Sequence, residues 1–297
     1  MLSKLRWNNS LSDVDIQRRR EEIIPDRVLS SINWHNVVVE RIDQGTLSAS
    51  FTVHAGMDSA FLKTHLTSEG RLTLERESQF LGLIYAEALS NRVHSLYEPD
   101  INQMWLMMPF FERNQTQLRP DEVVCLLKSL ELLKVQKLNN SIINAHHDNI
   151  YTLVEIGKLA HDNLSRFNML DRNSQRQTKD ALNFLDLYLP DLQPTLCHGD
   201  LSPFNIMRHN SELIIIDWED VFLGVADYDY LFWLSFFENR RLYQHDPLRF
   251  ISIDRRIAKA LLILIVLLKC EIAWRSGSWS RHTLSFNERI LEISKLD

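Results

Sequence analysis

The sequence predicts an α+β protein with two lobes: a small antiparallel sheet with one helix, and a larger lobe that is mainly helical. Short β-rich runs separated by turn residues occupy residues 34–110, whereas apolar side chains at helical spacing dominate residues 111–297. The 297 residues, 45% of them hydrophobic, supply enough apolar side chains for two cores. Residues 1–33 are polar and predict a helical extension. We therefore divide the chain at 1–33, 34–110 and 111–297.

The small lobe is predicted from its alternation of strand-like runs and turns. The turn residues Gly45-Thr46 and Ala55–Asp58 separate the first three runs. Apolar side chains at helical spacing then predict a helix over Thr73–Leu89. The five predicted strands are Val37–Ile42, Ala49–His54, Ser59–Lys63, Val93–Tyr97 and Met104–Met108.

The large lobe is predicted from long segments with one apolar face. One stretch, Leu196–Trp218, breaks the helical pattern, because loop residues there lead into the apolar run Leu213–Ile216. The predicted helices are Asp121–Leu138, Ile150–Phe167, Ser174–Leu189 and Arg255–Trp274.

Composition and charge exclude several classes of function. A net charge of −6 and a pI near 6.0 provide no basic surface for nucleic acid. The longest apolar run, Ala260–Leu268, is far shorter than the roughly 20 residues that cross a bilayer, and we expect no membrane span. Three widely spaced cysteines and an N-terminus without an apolar leader indicate reduced thiols in a cytoplasmic protein.

The segment that carries chemistry runs from Leu196 to Glu219. It contains His-x-Asp-x-x-x-x-Asn, followed by an apolar strand that ends in an aspartate. Phosphoryl transfer needs an acceptor for a hydroxyl proton and oxygen ligands for magnesium, and this pattern supplies both. We expect Asp200 to be the catalytic base and Asn205 and Asp217 to be the metal ligands. The alternative is an ordinary turn followed by a buried strand.

A lysine and a glutamate in the small lobe provide an independent test of this hypothesis. Lys63 ends the third predicted strand, and Glu77 follows 14 residues later on the predicted helix. A kinase needs such a pair to hold the α- and β-phosphates of its nucleotide. Glu75 competes with Glu77, and since residues two apart on a helix face different directions, we prefer Glu77.

The turn between the first two strands is a candidate phosphate-binding loop. Gly45, Thr46 and Ser48 would cover the phosphates through backbone N–H groups and hydroxyls. The segment has only one glycine, and an ordinary hairpin turn explains it nearly as well.

Two motifs carry a resemblance to a known family. Cys197–Ile206 and Ile216–Glu219 resemble the aminoglycoside phosphotransferase and choline kinase superfamily, over about residues 35–235. The resemblance implies a bilobal protein-kinase-like fold, ATP or GTP as phosphate donor and Mg²⁺. It also implies an adenine-contacting hinge at Met107, Met108 and Phe110, and a structural role for Asp229, for which helix N-capping is the alternative.

Departures from protein kinases favour a small-molecule alcohol as substrate. Gly199 stands where protein kinases carry arginine, and only 12 positions separate Asp217 from Asp229, which leaves little room for an activation segment. We expect an aminoglycoside, choline or another amino alcohol, a thiamine-like compound or a sugar as acceptor. The alternatives are a catalytically weak, nucleotide-binding pseudokinase and a protein-kinase-like regulator.

Acidic and aromatic residues near the motif suggest a cation-binding cleft. The candidate substrate residues are Glu219, Asp220, Trp218 and Trp274, because carboxylates and aromatic faces both stabilise ammonium groups. The alternative is that these aromatic residues belong to the core and that the substrate is a neutral sugar. The sequence does not define the oligomeric state.

Overall fold

The computed structural model describes residues 13–42, 48–85, 94–98, 102–113, 117–137, 149–209 and 212–296. By their contacts, the described residues form two compact units. The smaller unit contains those within 7–115 and 206–219, and the larger unit those within 116–205 and 220–297. No helix in the described ranges has the length and apolar character needed to span a bilayer.

The smaller unit is built on an antiparallel sheet of five strands, as predicted. The strands are β1 (Val38–Ile42), β2 (Ser48–Ala55), β3 (Asp58–His65), β4 (His94–Glu98) and β5 (Gln103–Pro109). Their order in the sheet is β1-β2-β3-β5-β4, with the core strand β3 paired to both β2 and β5. Two helices precede the sheet, α1 (Asp13–Glu22) and α2 (Asp26–Ser31).

The helix that follows β3 confirms the prediction of one helix in this sheet region. Helix α3 (Ser68–Ile84) begins five residues before the predicted start, because the side chain of Thr67 caps it by accepting the N–H of Gly70 at 3.3 Å. The apolar spacing from which we predicted the helix begins only at Leu74, inside its second turn. Residues 86–89 of the predicted helix lie outside the described residues.

A second, three-stranded sheet also belongs to the smaller unit. Its strands are β6 (Glu112–Arg113), β8 (Ile206–His209) and β9 (Glu212–Ile215), in the order β6-β8-β9. The sequence division placed residues 206–219 with the helical lobe. Pairing of Arg208 with Glu112 instead attaches this hairpin to the chain that leaves β5.

The larger unit is mainly helical, as predicted, and packs around one apolar helix. Its helices are α4 (Pro120–Lys137), α5 (Ile150–Arg166), α6 (Arg172–Tyr188), α7 (Tyr228–Leu234), α8 (Arg255–Arg275) and α9 (Phe286–Ser294). Helix α8 buries almost every side chain between Ile257 and Leu268 and contacts α5, α6, α7 and α9. It is therefore the central core helix of the unit.

Several short elements of the larger unit were not predicted. Strands β7 (Pro194–Cys197) and β10 (Phe222–Val225) form an antiparallel pair, and helices α7 and α9 follow later in the chain. Strands of four residues are too short to show alternation, and every residue of α7 is buried, so that helix has no polar face to reveal its period.

Candidate active site

Lys63 occupies the centre of a charged cluster in the smaller unit. It lies near the end of β3 and is only 6% exposed. Its Nζ is 3.0 Å from Glu77 Oε2 and 3.8 Å from Glu219 Oε2, and it also forms an ion pair with Asp217. One ammonium group is therefore surrounded by three carboxylates.

The carboxylates decide the protonation of Lys63. Burial by itself would lower the pKa of this lysine, but the attraction of Asp217 and the other two carboxylates outweighs it and holds the pKa well above its ordinary value. Lys63 is thus a permanent cation. Burial raises the pKa of Glu77 to about 7, against the opposing attraction of Lys63.

Helix α3 presents Glu77, not Glu75, to the lysine. Glu77 is 1% exposed, whereas Glu75 accepts from Arg71 at 3.1 Å on a different face of the helix. The preferred pairing of Lys63 with Glu77 is therefore the one present.

Asp217 follows β9 with a left-handed backbone, φ +67°. Aspartate tolerates this conformation better than most side chains. The next residue, Trp218, is fully buried, stacks on Phe80 of α3 at 6.0 Å and donates its indole N–H to the Ile215 carbonyl at 2.8 Å. The interpretation of Trp218 as a substrate contact is therefore wrong: its packing against α3 holds the Asp217 loop in place.

His65 is a member of the cluster that the sequence reasoning missed. Its Nε2 is 3.1 Å from Glu219 Oε2 and 3.1 Å from the Thr73 hydroxyl. Residues two apart on a strand share a face, so His65 lies on the same face of β3 as Lys63. That spacing is the signal by which it could have been found. Glu219 is held by His65 and Lys63, so its carboxylate is directed into the cluster.

In the larger unit, the loop after β7 is held by a buried carboxylate. Asp229, 5% exposed in the first turn of α7, accepts the backbone N–H groups of His198 at 2.8 Å and Gly199 at 3.0 Å. The N-cap position of α7 is Asp227. The alternative of N-capping by Asp229 is therefore wrong, because its carboxylate binds a distant loop.

Gly199 and Asp200 lie at the bend of this loop. Gly199 has φ +85°, and a Cβ added there would lie 2.1 Å from the Asp220 carbonyl oxygen. Only glycine satisfies both conditions. Asp200 is partly exposed, and its backbone N–H donates to His198 Nδ1 at 3.2 Å. The backbone of the loop therefore holds Asp200 in position.

Asn205 has a defined orientation in the same loop. Its side-chain nitrogen donates to the Asp200 carbonyl at 2.9 Å, and its backbone N–H bonds to Ser202. Because the amide nitrogen is committed to that bond, the amide oxygen is the atom left to bind a ligand. In the larger unit, the amide oxygen of Asn205 is the kind of hard oxygen ligand that Mg²⁺ prefers, and in the smaller unit the carboxylate of Asp217 is another.

The other expected nucleotide contacts are placed as follows. Ser48 lies at the start of β2 and is buried, Met107 and Met108 are buried on β5, and Phe110 is 41% exposed just after it. Gly45 and Thr46 lie outside the described residues. Adenine contacts at residues 107–110 and phosphate contacts at residues 45–48 stay predictions.

The structure does not support an acidic, aromatic cleft around the remaining candidates. Asp220 is 4% exposed, and Trp274 packs on Phe167 with ring centroids 4.6 Å apart. Tyr228 and Trp233, two aromatic residues that follow the motif in sequence, are fully buried core residues. Aromatic packing in the core therefore explains most of this set, as the alternative interpretation stated.

The sheet with its helix, the helical unit and the motif residues define a small-molecule kinase of the protein-kinase-like class. The family model described as the phosphotransferase enzyme family (APH) matches residues 38–249. The chain belongs to this family. No curated protein matches it in sequence.

Solved structures with a similar fold include three kinases. Aminoglycoside phosphotransferase APH(4)-Ia with ADP and hygromycin B has a TM-score of 0.61 at 12% identity, covering 91% of this chain and 98% of that one. Choline kinase LicA from Streptococcus pneumoniae has a TM-score of 0.60 at 13% sequence identity, and the match covers 93% of this chain and 97% of that one. The microcompartment-associated aminopropanol kinase has a TM-score of 0.57 at 16% sequence identity, and the match covers 91% of this chain and 94% of that one. At these identities the likeness shows the fold alone.

Proposed function

We propose that this phosphotransferase moves the γ-phosphate of ATP to a hydroxyl group of a small molecule. The observation that carries the proposal is the buried Lys63, held between Glu77 and Asp217. A buried cation with fixed carboxylate partners is costly to build and contributes little net stability, so its presence favours a functional role. That role is to position nucleotide phosphates.

Asp200 is the proposed proton acceptor. As the acceptor oxygen attacks the γ-phosphorus, the new O–P bond forms, the bond to the β-phosphate oxygen breaks and ADP leaves. The hydroxyl proton passes to the Asp200 carboxylate. The rigid loop around Gly199 supports this role, since a base must be held in position to act.

Asn205 and Asp217 are the proposed Mg²⁺ ligands. When bound, the ion would neutralise charge on the β- and γ-phosphates. Glu219 and His65 would keep the Asp217 loop in place through their mutual contact at 3.1 Å. The solved relatives act on or bind hygromycin B, choline and aminopropanol, which supports a small alcohol as acceptor here.

A transfer assay with a matched aspartate control tests this function. We expect ATP-dependent phosphorylation of at least one alcohol in a panel of amino alcohols, aminoglycosides, thiamine-like compounds, sugars and hydroxy acids. Asp200→Asn should lower kcat at least about a hundredfold, because it removes a positioned proton acceptor. Asp191→Asn, which changes an exposed aspartate eight residues before Gly199, should leave kcat unchanged. Transfer that survives Asp200→Asn contradicts the proposal, and nucleotide binding without any transfer favours a pseudokinase.

A further inference from the structure

A cavity of about 240 Å³ in the larger unit has Asp200 in its wall. The remaining wall comes from α7 and the residues after it, from the last turns of α8, from Ser278 and His282 in the segment that follows α8, and from α9. If Asp200 accepts the hydroxyl proton, the body of the acceptor lies in this cavity. The inference therefore rests on the proposed function and extends it to the chemistry of the acceptor.

Arg289 brings a buried positive charge to the cavity. Its side chain is 5% exposed, lies over the ring of Phe237 at 4.5 Å and donates to the Ser235 carbonyl at 3.1 Å. Within the described ranges no carboxylate forms an ion pair with it. A buried guanidinium that lacks a counter-ion is unfavourable, and an anionic ligand would supply that counter-ion.

A second polar side chain in the cavity wall has one atom without a hydrogen-bond partner among the described residues. The Nδ1 atom of His282 is buried, and no hydrogen bond reaches it from the described residues. Burial and the neighbouring Arg289 both lower the pKa of His282, so its ring is neutral at physiological pH. A neutral imidazole offers one donor and one acceptor to a polar ligand.

The aromatic faces of the cavity are already covered by protein cations. Lys269 Nζ lies 4.0 Å from the ring centroid of Phe232 and 3.4 Å from that of Phe236, and it donates to Ser235 Oγ at 2.6 Å. A cationic substrate would need those faces and would meet the like charges of Lys269 and Arg289. The cavity therefore disfavours an ammonium group.

The cavity is open on one side, and its volume of about 240 Å³ is below the about 300–1,000 Å³ that is typical of pockets that enclose drug-sized ligands. Its walls therefore contact only a small part of an acceptor, and the volume by itself does not set the size of the acceptor.

We propose that the acceptor is a small alcohol that carries an oxyanion group, a carboxylate or phosphate, which binds Arg289 while its hydroxyl lies at Asp200. The guanidinium N–H groups donate to the oxyanion, a charge-assisted interaction with bidentate geometry. Phosphate transfer then proceeds with the bond changes given for Asp200, and the oxyanion itself does not react.

Three alcohols on one carbon skeleton test the charge of the acceptor directly. Glycerate, glycerol and 3-aminopropane-1,2-diol share a three-carbon chain and differ in a carboxylate, a neutral and an ammonium group. With the full chain, ATP and Mg²⁺, we expect kcat/KM to be about tenfold or more higher for glycerate than for the other two. Glycerol 3-phosphate, included as a fourth acceptor, distinguishes a phosphate from a carboxylate as the preferred oxyanion.

Variants at Arg289 test whether this residue causes the preference for an anionic acceptor. Arg289→Met should raise KM for the anionic acceptor about 10- to 100-fold and leave kcat within about threefold, since the guanidinium binds the part of the acceptor that does not react. Arg289→Lys, which keeps the charge, should restore part of the affinity. Arg240→Met removes a cation that pairs with Glu292 on α9 and does not line the cavity, and it should change neither constant. If Arg289→Met does not fold, Arg289→Lys tests the site by itself: an ammonium group cannot reproduce the bidentate geometry, so KM for the anionic acceptor should still rise, and an unchanged KM would contradict the role of Arg289.

The outcomes separate this inference from the proposed function. Preferred transfer to glycerol or to the amine would overturn the oxyanion inference and leave the kinase proposal standing. If no alcohol is phosphorylated, calorimetric titration of the Asp200→Asn protein with glycerate and with glycerol 3-phosphate tests whether the oxyanion site exists. Binding of glycerate or glycerol 3-phosphate that Arg289→Met abolishes supports the oxyanion site without catalysis, and binding of neither overturns it.

Discussion

The two units hold their functional side chains by different means. In the smaller unit, Lys63, Glu77 and Asp217 bind one another through their charges. In the larger unit, Asp200 is held by the backbone of its loop, whose N–H groups bind Asp229. The first arrangement depends on charge and the second on backbone shape. Substitutions that change charge should therefore act mainly on the smaller unit, and substitutions that change volume mainly on the larger.

The largest expected effect follows from a single added methyl group in the larger unit. Gly199→Ala places a Cβ in a left-handed conformation and against the Asp220 carbonyl, 2.1 Å away. We expect a loss of about 5 kcal/mol in the free energy of unfolding, measured by urea denaturation, with loss of phosphate transfer.

Gly277→Ala is the matched control for this substitution. Gly277 also has a positive φ, +68°, but nothing lies within 4 Å of an added Cβ. The expected cost is only that of the backbone conformation, about 1 kcal/mol. Equal costs at the two positions would show that the close approach to Asp220 is not what fixes the loop.

Removing the cation of the smaller unit should have the next largest effect. Lys63→Met leaves buried Glu77 without its counter-ion, and we expect a loss of about 4 kcal/mol in the free energy of unfolding. Lys158→Met removes a surface lysine that also pairs with two carboxylates, Glu155 and Asp186, and should cost less than about 1 kcal/mol.

A double variant separates stability from function in this cluster. Lys63→Met combined with Glu77→Gln also removes the fully buried carboxylate, whereas Asp217 and Glu219 are partly exposed to solvent, so most of the lost stability should return. Phosphate transfer should not return, because no cation remains to position the phosphates. Recovery of transfer in the double variant would show that Lys63 has a structural role only.

Stability should depend on pH through Glu77. Its pKa is raised on folding from 4.5 to about 7, so its contribution is complete below pH 4.5 and is lost as the pH rises through 7. The free energy of unfolding of the wild type relative to Glu77→Gln should fall by about 2 kcal/mol between pH 5 and pH 8. A difference that does not change with pH would contradict the raised pKa.

The smallest effect is a difference in thiol reactivity that reports on the larger unit alone. All three cysteines belong to this unit; Cys125 is exposed, whereas Cys197 and Cys270 are buried. Burial raises the pKa of Cys270 to about 11, which suppresses its thiolate. At pH 8 we expect one thiol per folded chain to react with a maleimide, as counted by mass spectrometry, and three after denaturation. Lys63→Met should leave this pattern unchanged, and fast labelling of all three would contradict the tight core around α8.

The sequence alone was sufficient for the fold class, the five strands, the long helices and the family. These features are encoded locally: the period of apolar side chains defines an amphipathic helix, and the order of residues in the His-Gly-Asp loop defines the motif. Helical geometry limited the partner of Lys63 to one of Glu75 and Glu77, and the contacts of α3 show that the preferred Glu77 is that partner. The bounds of α3 were less accurate because the Thr67 cap lies outside its apolar pattern.

Tertiary structure decided what depends on contacts between distant residues. Trp218 proved to be core because Phe80, from a different part of the chain, covers it. Asp229 serves the loop at His198 and Gly199, 30 or more positions earlier. The cavity at Asp200 is assembled from three parts of the chain, since 32 positions separate Asp200 from Phe232 and another 32 separate Phe237 from Lys269. No local sequence pattern predicts such long-range contacts, because they form only when the helices pack.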